Sequence, residues 1–283
     1  MVRQGGSVRH TSRRCDNHKG DSHRCTKRDG DCHLFKELFM RKKALLVLIL
    51  AALIVGGGFA QRTPGARYEP NPVSDFKFSE SSSSIVITGY QGIDKRVVVP
   101  AQIGGKAVTA IGANAFKDNT LITEFVIFDG ITTIGNNAFL NSSLRWININ
   151  ECTTIGSIGT GAFQGTCLQD MISSWPVNKV KKIPNNAFRD SDLNKALVIP
   201  EGVTEIGDYA FAGTQITSVT LPRTVTRIGA NAFSGCGSLT TVIIPSNVTK
   251  ITFGSSAFNG TALNAASKKA LTDCGAPNEI AYK

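Results

Sequence analysis

An alternation of apolar and polar residues returns every 22 to 25 positions between about residues 85 and 265. It is clearest as Leu239-x-x-Val242-x-Ile244, which is followed by Pro245, and close copies occupy 216–228 and 144–149. A period of two sends alternate side chains to one face of a strand. Proline has no N–H to donate to a strand ladder. The pattern therefore predicts one short strand per repeat, ended by proline where proline is present.

A second block, ending in Ala-Phe, lies about half a repeat further on. Ile-Gly-Ala-Asn-Ala-Phe at 111–116 returns in related form at 134–139, 158–163, 183–188, 206–211 and 228–233, with a looser copy ending at 258. We interpret this block as a helical turn or irregular arc that closes each coil. One coil cannot bury its own apolar face, so neighbouring coils must stack. We expect a structural column formed by Phe116, Phe139, Phe163, Phe188, Phe211, Phe233 and Phe258.

Because both blocks recur in phase, the chain resembles the BspA-type leucine-rich repeat proteins, bacterial surface or secreted proteins with repeats of roughly 23 residues. The resemblance covers about residues 85–265, and 84–90, 97–100 and 105–106 are similar to the opening unit of that family. It implies surface binding to host matrix or other cells, and it supplies no catalytic residues. The predicted fold class is an α/β repeat, a leucine-rich-repeat solenoid. Short parallel strands are expected on its concave face and irregular or short helical arcs on its convex face.

Two segments depart from the repeat. Around 168–183 the strand block degrades, because Ser173 stands where isoleucine is expected and Ser174-Trp175-Pro176 follows. We expect a bulge or loop there, with Trp175 projecting from it. Segment 151–157 is an insertion relative to its neighbours.

The two ends of the array are different in kind. Residues 61–72 are proline-rich and predict an extended linker, and 76–90 predict an edge strand or hairpin that caps the first repeat. Residues 262–274 predict an amphipathic helix that shields the last repeat from solvent. Its apolar face would consist of Leu263, Ala266, Ala270 and Leu271.

The first 60 residues predict export. After Met40 come a basic segment at 41–43, a run of 12 apolar residues at 44–55 and small residues up to Ala60, which is the pattern of a signal peptide cleaved after Ala60. The alternative is an uncleaved anchor, although a spanning helix needs roughly 20 apolar residues. Residues 1–39 are interpreted as an upstream extension or a mis-assigned start. A zinc site on their cysteines and histidines is the less favoured alternative.

These patterns predict a domain organisation in five parts. Residues 1–39 form a non-structured extension, 40–60 the signal peptide and 61–84 the linker and N-terminal cap. Residues 85–261 form the solenoid of about seven units, and 262–283 form the C-terminal helical cap and tail.

Composition narrows the chemistry. The net charge is +10, but residues 1–60 hold 12 of the 31 Lys and Arg against 5 of the 21 Asp and Glu, so the basic character belongs mainly to the leader. It does not indicate nucleic-acid binding. All four histidines lie within the first 39 residues, so the rest of the chain has no imidazole for triad catalysis or a zinc site. We expect no enzymatic activity, cofactor or metal; paired-carboxylate glycosidase chemistry stays open, although nothing favours it.

Two columns of outward-facing residues are expected on the concave face, because alternate strand residues point away from the core. The first comprises Arg96, Glu124, Trp146, Asp170, Ala196, Ser218 and Thr241. The second comprises Val98, Val126, Asn148, Ile172, Val198, Thr220 and Ile243, and is unexpectedly apolar for exposed positions. We take them as candidate partner-binding residues. The alternative is that β-branched residues are simply what strands favour.

The sequence thus favours an exported, non-catalytic protein that mediates protein–protein or cell-surface and matrix adhesion through its concave face. Its partner would be a macromolecule, and we expect a protein of the host matrix or cell surface. The alternative is a structural protein of the cell envelope that self-associates through its exposed end strands.

Two smaller groups of residues leave alternatives open. Lys179, Lys181 and Lys182 predict a solvated loop, with an anionic ligand as the alternative. Cys152, Cys167, Cys236 and Cys274 are favoured as buried thiols, although export permits disulfides.

Overall fold

The computed structural model describes residues 68–169, 175–176 and 179–277. The chain divides into two compact units, Met1–Arg62 and Thr63–Lys283, and everything described belongs to the second. The predicted extension and signal peptide therefore lie outside the described residues, as do the site candidates Asp170 and Ile172. The structure therefore does not test the predicted extension, the signal peptide or these two site residues.

The second unit is a stack of coils, most of which contribute two short parallel strands. The strands of the first sequence block, called the front strands here, are β3 (Arg96–Val98), β6 (Glu124–Val126), β8 (Trp146–Ile147), β11 (Ala196–Val198), β13 (Ser218–Thr220) and β15 (Thr241–Ile243). They form two parallel sheets, β3-β6-β8 and β11-β13-β15. The predicted solenoid of stacked parallel strands is confirmed.

A second set of strands, called the rear strands, was not predicted. It comprises β5 (Lys106–Ile111), β7 (Thr133–Ile134), β9 (Ser157–Ile158), β10 (Lys182–Ile183), β12 (Glu205–Ile206), β14 (Arg227–Ile228) and β16 (Thr252–Phe253). One sheet begins with β2 (Ser84–Tyr90) and has the order β2-β5-β7-β9, and a second has the order β10-β12-β14-β16, with all of these pairs parallel. The start of each Ile-Gly block is therefore a strand, and only the Ala-Phe portion turns.

The arcs were predicted to be irregular or short helical, and in the coils that the structure describes the Ala-Phe segments are turns and not helices. Each turn contains two residues with positive φ, for example Asn114 (57°) and Asp118 (57°), which a right-handed helix cannot include. Its N–H groups bond to the next coil instead: Phe116 N donates to Ala138 O at 2.7 Å and Asp118 N to Leu140 O at 2.7 Å. The turns therefore continue the ladder between coils.

The seven predicted phenylalanines form one continuous stack in the core. Successive rings have centroids 5.0–5.7 Å apart and planes within 6–10° of parallel. All seven side chains are buried. Complete burial of one such side chain contributes about 1.5–3 kcal/mol, so the column is the main apolar support of the stack.

The backbones of adjacent coils approach so closely that some repeat positions require glycine. A Cβ atom on Gly135 would lie 2.5 Å from Ala113 N, in the preceding coil. No larger residue fits there without moving the coils apart, which explains the repeated Ile-Gly pair.

Trp175 does not project, contrary to the sequence prediction. Its side chain is only 4% exposed, and its Nε1 donates to Val180 O at 3.0 Å. Its ring meets Phe188 edge-on, with centroids 5.8 Å apart. Phe125, on a front strand, packs edge-on against Phe116 of the column in the same way, with centroids 4.7 Å apart. Trp175 therefore supports the phenylalanine column as a front-strand residue does, at the point where the strand block has degraded.

The N-terminal end of the stack is a hairpin of β1 (Phe76–Glu80) and β2 (Ser84–Tyr90), after a 3-10 turn at Val73–Asp75. A short strand, β4 (Gln102–Ile103), pairs antiparallel with β5. A second 3-10 turn, Ile149–Glu151, opens the inserted segment.

The C-terminal end is helix α1 (Ala265–Asp273), with Asn264 as its N-cap. Leu263 and Leu271 are buried as expected, but Ala266 is exposed, and Ser267 is buried instead. Ser267 faces inward because its Oγ accepts a hydrogen bond from Val242 N at 2.9 Å. Within the described part of the chain, no helix is both long and apolar enough to cross a bilayer.

Candidate partner-binding surface

The first predicted column begins as a row of charged and aromatic side chains. Arg96, Glu124 and Trp146 are in register on β3, β6 and β8. Arg96 Nε donates to Glu124 Oε2 at 2.6 Å, and this hydrogen bond raises the pKa of the Arg96 guanidinium. The same guanidinium lies 5.9 Å from the ring centroid of Tyr68. Both charges are therefore already paired, and the half-buried Trp146 completes the row. We call Arg96, Glu124 and Trp146 the near row.

The second column does not face outward at its start, so the prediction is wrong for Val98, Val126 and Asn148. They are 4%, 0% and 3% exposed. Asn71 pairs with the backbone of Val98: its N donates to Val98 O at 3.0 Å, and its Oδ1 accepts from Val98 N at 2.7 Å. Val126 pairs with Val98 in the parallel register.

Asn148 is turned inward because the strand has already ended. β8 stops at Ile147, and the 3-10 turn of the inserted segment begins at Ile149. The Asn148 backbone, with φ −84° and ψ 37°, is no longer extended. Its side chain folds back to hydrogen-bond Ile127.

Both predicted columns are present on β11, β13 and β15. Val198, Thr220 and Ile243 are in register, as are Ala196, Ser218 and Thr241. Val198 is 56% exposed and Ile243 51%, while the residues between the two columns, Leu197, Val219 and Val242, are buried. We call the six outward residues Ala196, Val198, Ser218, Thr220, Thr241 and Ile243 the far patch.

The far patch is uncharged. Parallel strands lie about 4.8 Å apart, so Val198 and Ile243 are separated by about 10 Å, with the half-buried Thr220 between them. An aliphatic pair flanked by hydroxyl groups can pack against an apolar protein surface and still satisfy polar groups at its margin. Its six side chains include no carboxylate, imidazole or amine that could act as a general base.

A charged ladder on the rear strands was not found from the sequence. Glu205 Oε1 accepts from Lys182 Nζ at 3.0 Å and from Arg227 Nη1 at 2.5 Å. Burial opposes ionisation of Glu205, but these hydrogen bonds prevail and lower the pKa of its carboxyl group. Lys182 is thus committed to an ion pair, while Lys179 and Lys181 are exposed. Only the strand register, which aligns residues 22 or 23 positions apart, could have revealed the ladder.

Three of the cysteines anchor one coil to another through their thiols. Cys152 Sγ donates to Ile127 O at 3.4 Å, Cys236 Sγ to Phe211 O at 3.2 Å and Cys274 Sγ to Val248 O at 3.3 Å. Burial raises the pKa of all three thiols, and that of Cys152 to about 12. A protonated thiol is a poor nucleophile and a poor metal ligand, so these cysteines act in packing.

Short parallel strands, turns that continue the ladder and a central phenylalanine column define a leucine-rich-repeat solenoid. The chain belongs to the family of the BspA type leucine rich repeat region, whose model matches residues 109–179 and 156–272 in six copies. The predicted family is confirmed.

A solved leucine-rich-repeat structure shares this fold. A leucine-rich repeat protein of T. pallidum is 23% identical, with a TM-score of 0.51, and the match covers 75% of this chain and 99% of that chain. A leucine-rich cell surface protein from Faecalibacterium prausnitzii A2-165 is 29% identical, with a TM-score of 0.49, covering 65% of this chain and 56% of that chain. No curated protein sequence matches the chain.

Proposed function

We propose that the protein is an exported, non-catalytic binding protein that holds a protein of the host matrix or of a cell surface against its front strands. The observation that carries the proposal is the exposure of Val198 and Ile243, 56% and 51%, on strands whose intervening residues are buried. Exposed apolar side chains aligned in register provide area that a partner can bury.

The size of the surface indicates how the partner is held. A standard protein interface buries about 800 Å² on each side, which is more than the six residues of the far patch can supply. The near row lies on the same series of front strands and contributes Trp146, a residue type enriched in interface hot spots. We therefore infer a partner that contacts both, with Trp146 as an anchor and Val198 and Ile243 as a second apolar contact.

A non-catalytic role is supported by the state of the reactive groups. Glu124 and Glu205 are held in ion pairs, and burial keeps the thiols of Cys152, Cys236 and Cys274 protonated. Residues 40–283 contain no histidine. Export is supported by the basic, apolar and small-residue segments of 41–60 and by the family resemblance to surface or secreted proteins.

The test is a binding screen in which purified extracellular-matrix proteins are immobilised one by one on a biosensor and probed with the purified protein. We expect saturable binding to at least one of them, and about 30-fold weaker binding for Trp146→Ala, the loss typical of an interface hot spot. Ser157→Ala, an exposed position on a rear strand, is the matched control and should bind like the wild type. Absence of saturable binding to all the matrix proteins and to intact cells would overturn the proposal.

A further inference from the structure

Apart from the two-residue strand β4 beside β5, the described sheets have four outer edges, two at each end of the stack. β1 and β3 are the edges at the N-terminal end, and β15 and β16 are those at the C-terminal end. An uncovered edge offers N–H and C=O groups to another chain, and native proteins normally cover or shorten such edges.

Two of the four edges are covered by other segments. Asn71 bonds both the N–H and the C=O of Val98 on β3. On the β15 side, Ser267 Oγ accepts from Val242 N at 2.9 Å, and Asn264 N donates to Thr240 O at 2.9 Å. The N-terminal segment and helix α1 thus cover these edges.

The third edge is short and partly covered. β16 is two residues long, and the residue before it, Ile251, donates its N–H to Cys274 O at 2.8 Å. This edge therefore offers little backbone for pairing.

The fourth edge, β1, is five residues long and open. The hairpin closes with a hydrogen bond from Ser81 N to Ser84 O, at 2.9 Å. Hydrogen-bonded pairs alternate along an antiparallel ladder, so Ser79 faces β2, and Phe78 and Glu80 present their backbone groups to the outer edge. Among residues 68–169, 175–176 and 179–277, no segment hydrogen-bonds to that outer side.

Exposed apolar side chains concentrate at the same end of the molecule. Of the six large hydrophobic residues exposed in the described chain, three lie between positions 73 and 93: Val73 at 42%, Phe78 at 36% and Ile93 at 87%. Backbone groups and apolar side chains are thus both available for a partner there.

We propose that two copies of this chain associate through β1, as an antiparallel pair of identical strands related by a two-fold axis. In such a pair, residues directly opposite each other must be of the same hydrogen-bonding type. A register centred on Lys77 or on Glu80 would place like charges opposite each other, which is unfavourable. A register centred on Ser79 would place each Phe78 opposite Glu80 of the other copy, so the two Phe78 rings would not meet.

Of these registers, the one centred on Phe78 opposes no like charges and pairs two exposed aromatic rings. It places the two Phe78 rings opposite each other, each Lys77 opposite Ser79 and each Phe76 opposite Glu80 of the other copy. A two-fold contact of this kind is self-complementary and closed. Because the C-terminal edges are covered or short, association ends at the dimer and does not continue into a filament.

The test is sedimentation equilibrium of the protein expressed from its full chain, over a wide concentration range, with the purified form defined by mass measurement. We expect a monomer–dimer equilibrium for the wild type and loss of the dimer for Phe78→Glu. Ser79→Glu should tighten the dimer about fivefold and Ser79→Lys should weaken it about fivefold, since each variant places two new charges opposite the two copies of Lys77.

The Ser79 variants form a matched pair, because Ser79 is exposed and both variants should melt at the wild-type temperature. A monomer at every concentration, assembly beyond the dimer, or effects of the same sign for Ser79→Glu and Ser79→Lys would each overturn the proposal. None of these results would affect binding by the front strands.

Discussion

The side chain of Asn148 makes both hydrogen bonds of a strand ladder with Ile127. Its Oδ1 accepts from Ile127 N at 2.9 Å, and its Nδ2 donates to Ile127 O at 2.9 Å. The amide group thus replaces the strand that ends at Ile147, and it keeps two coils joined where the inserted segment begins.

Asn148→Ala should destabilise the protein by about 1–3 kcal/mol, because it leaves the buried N–H of Ile127 unpaired and its C=O with only the weak thiol donor of Cys152. Urea unfolding followed by circular dichroism measures the change. Asn119→Ala is a milder comparison, because the Asn119 side chain accepts only from Leu121 N and Ile122 N on a half-buried turn. A cost below about 0.5 kcal/mol for Asn148→Ala would show that water or a neighbouring group replaces the amide.

The phenylalanine column predicts that replacing a phenylalanine by alanine lowers the free energy of unfolding more in the middle of the column than at its end. Phe163 stacks on Phe139 at 5.6 Å and on Phe188 at 5.7 Å, whereas Phe258 has a parallel neighbour only at Phe233. Phe163→Ala should lower the free energy of unfolding by about 3–5 kcal/mol, and Phe258→Ala should lower it less. Chemical denaturation of the two variants compares them directly, and equal costs would contradict a continuous stack.

Close packing of the coils predicts that one added methyl group is harmful at Gly135 and harmless at Gly237. A Cβ on Gly135 meets Ala113 N at 2.5 Å, whereas a Cβ on Gly237 has nothing within 4 Å. Gly135→Ala should therefore cost about 1–3 kcal/mol through overpacking, and Gly237→Ala should be neutral or slightly stabilising. The difference between the two melting temperatures is the measurement. A Gly135→Ala variant as stable as the wild type would disprove the close approach.

Much of this arrangement could be predicted from the sequence, because stacking repeats the same constraint in every coil. The phenylalanine positions and the outward residues of β11, β13 and β15 follow from periodicity alone. The rear strands were missed because two-residue strands such as Thr133–Ile134 have no alternation long enough to recognise. They exist because coil-to-coil hydrogen bonds form there, and those bonds depend on tertiary stacking.

The wrong site assignments share a physical cause. Alternation predicted an outward Val98 on β3, but Val98 is buried, and alternation could not show that Asn71, 27 positions earlier, pairs with its backbone. It also could not locate the end of β8 one residue before Asn148. A charge at Val126 would therefore test the core and not the binding surface.

The buried thiol of Cys152 predicts a loss of stability at high pH. Burial raises its pKa from 9.0 to about 12 in the folded state. The contribution of the buried, protonated Cys152 thiol to the free energy of unfolding is fully present below pH 9. It is lost as the pH rises from 9 towards 12, because the thiol ionises in the unfolded chain first. Unfolding free energies measured between pH 8 and 11 should fall less steeply with pH for Cys152→Ala than for the wild type.

Thiol labelling provides an independent check. At pH 9 the native Cys152 thiol should resist a thiol reagent that modifies it promptly in urea, as peptide mapping can show. Rapid labelling of native Cys152 would contradict its burial.

The most direct test of partner recognition is the dissociation constant of Val198→Glu/Ile243→Glu for the matrix protein retained in the biosensor screen. Both side chains are more than half exposed, so the double variant should fold and melt like the wild type. Binding should weaken at least about tenfold, because two carboxylates would have to be desolvated against the partner. Thr252→Glu, an exposed position on the rear strand β16, should bind as the wild type does. A folded double variant with wild-type affinity would contradict recognition through the front strands.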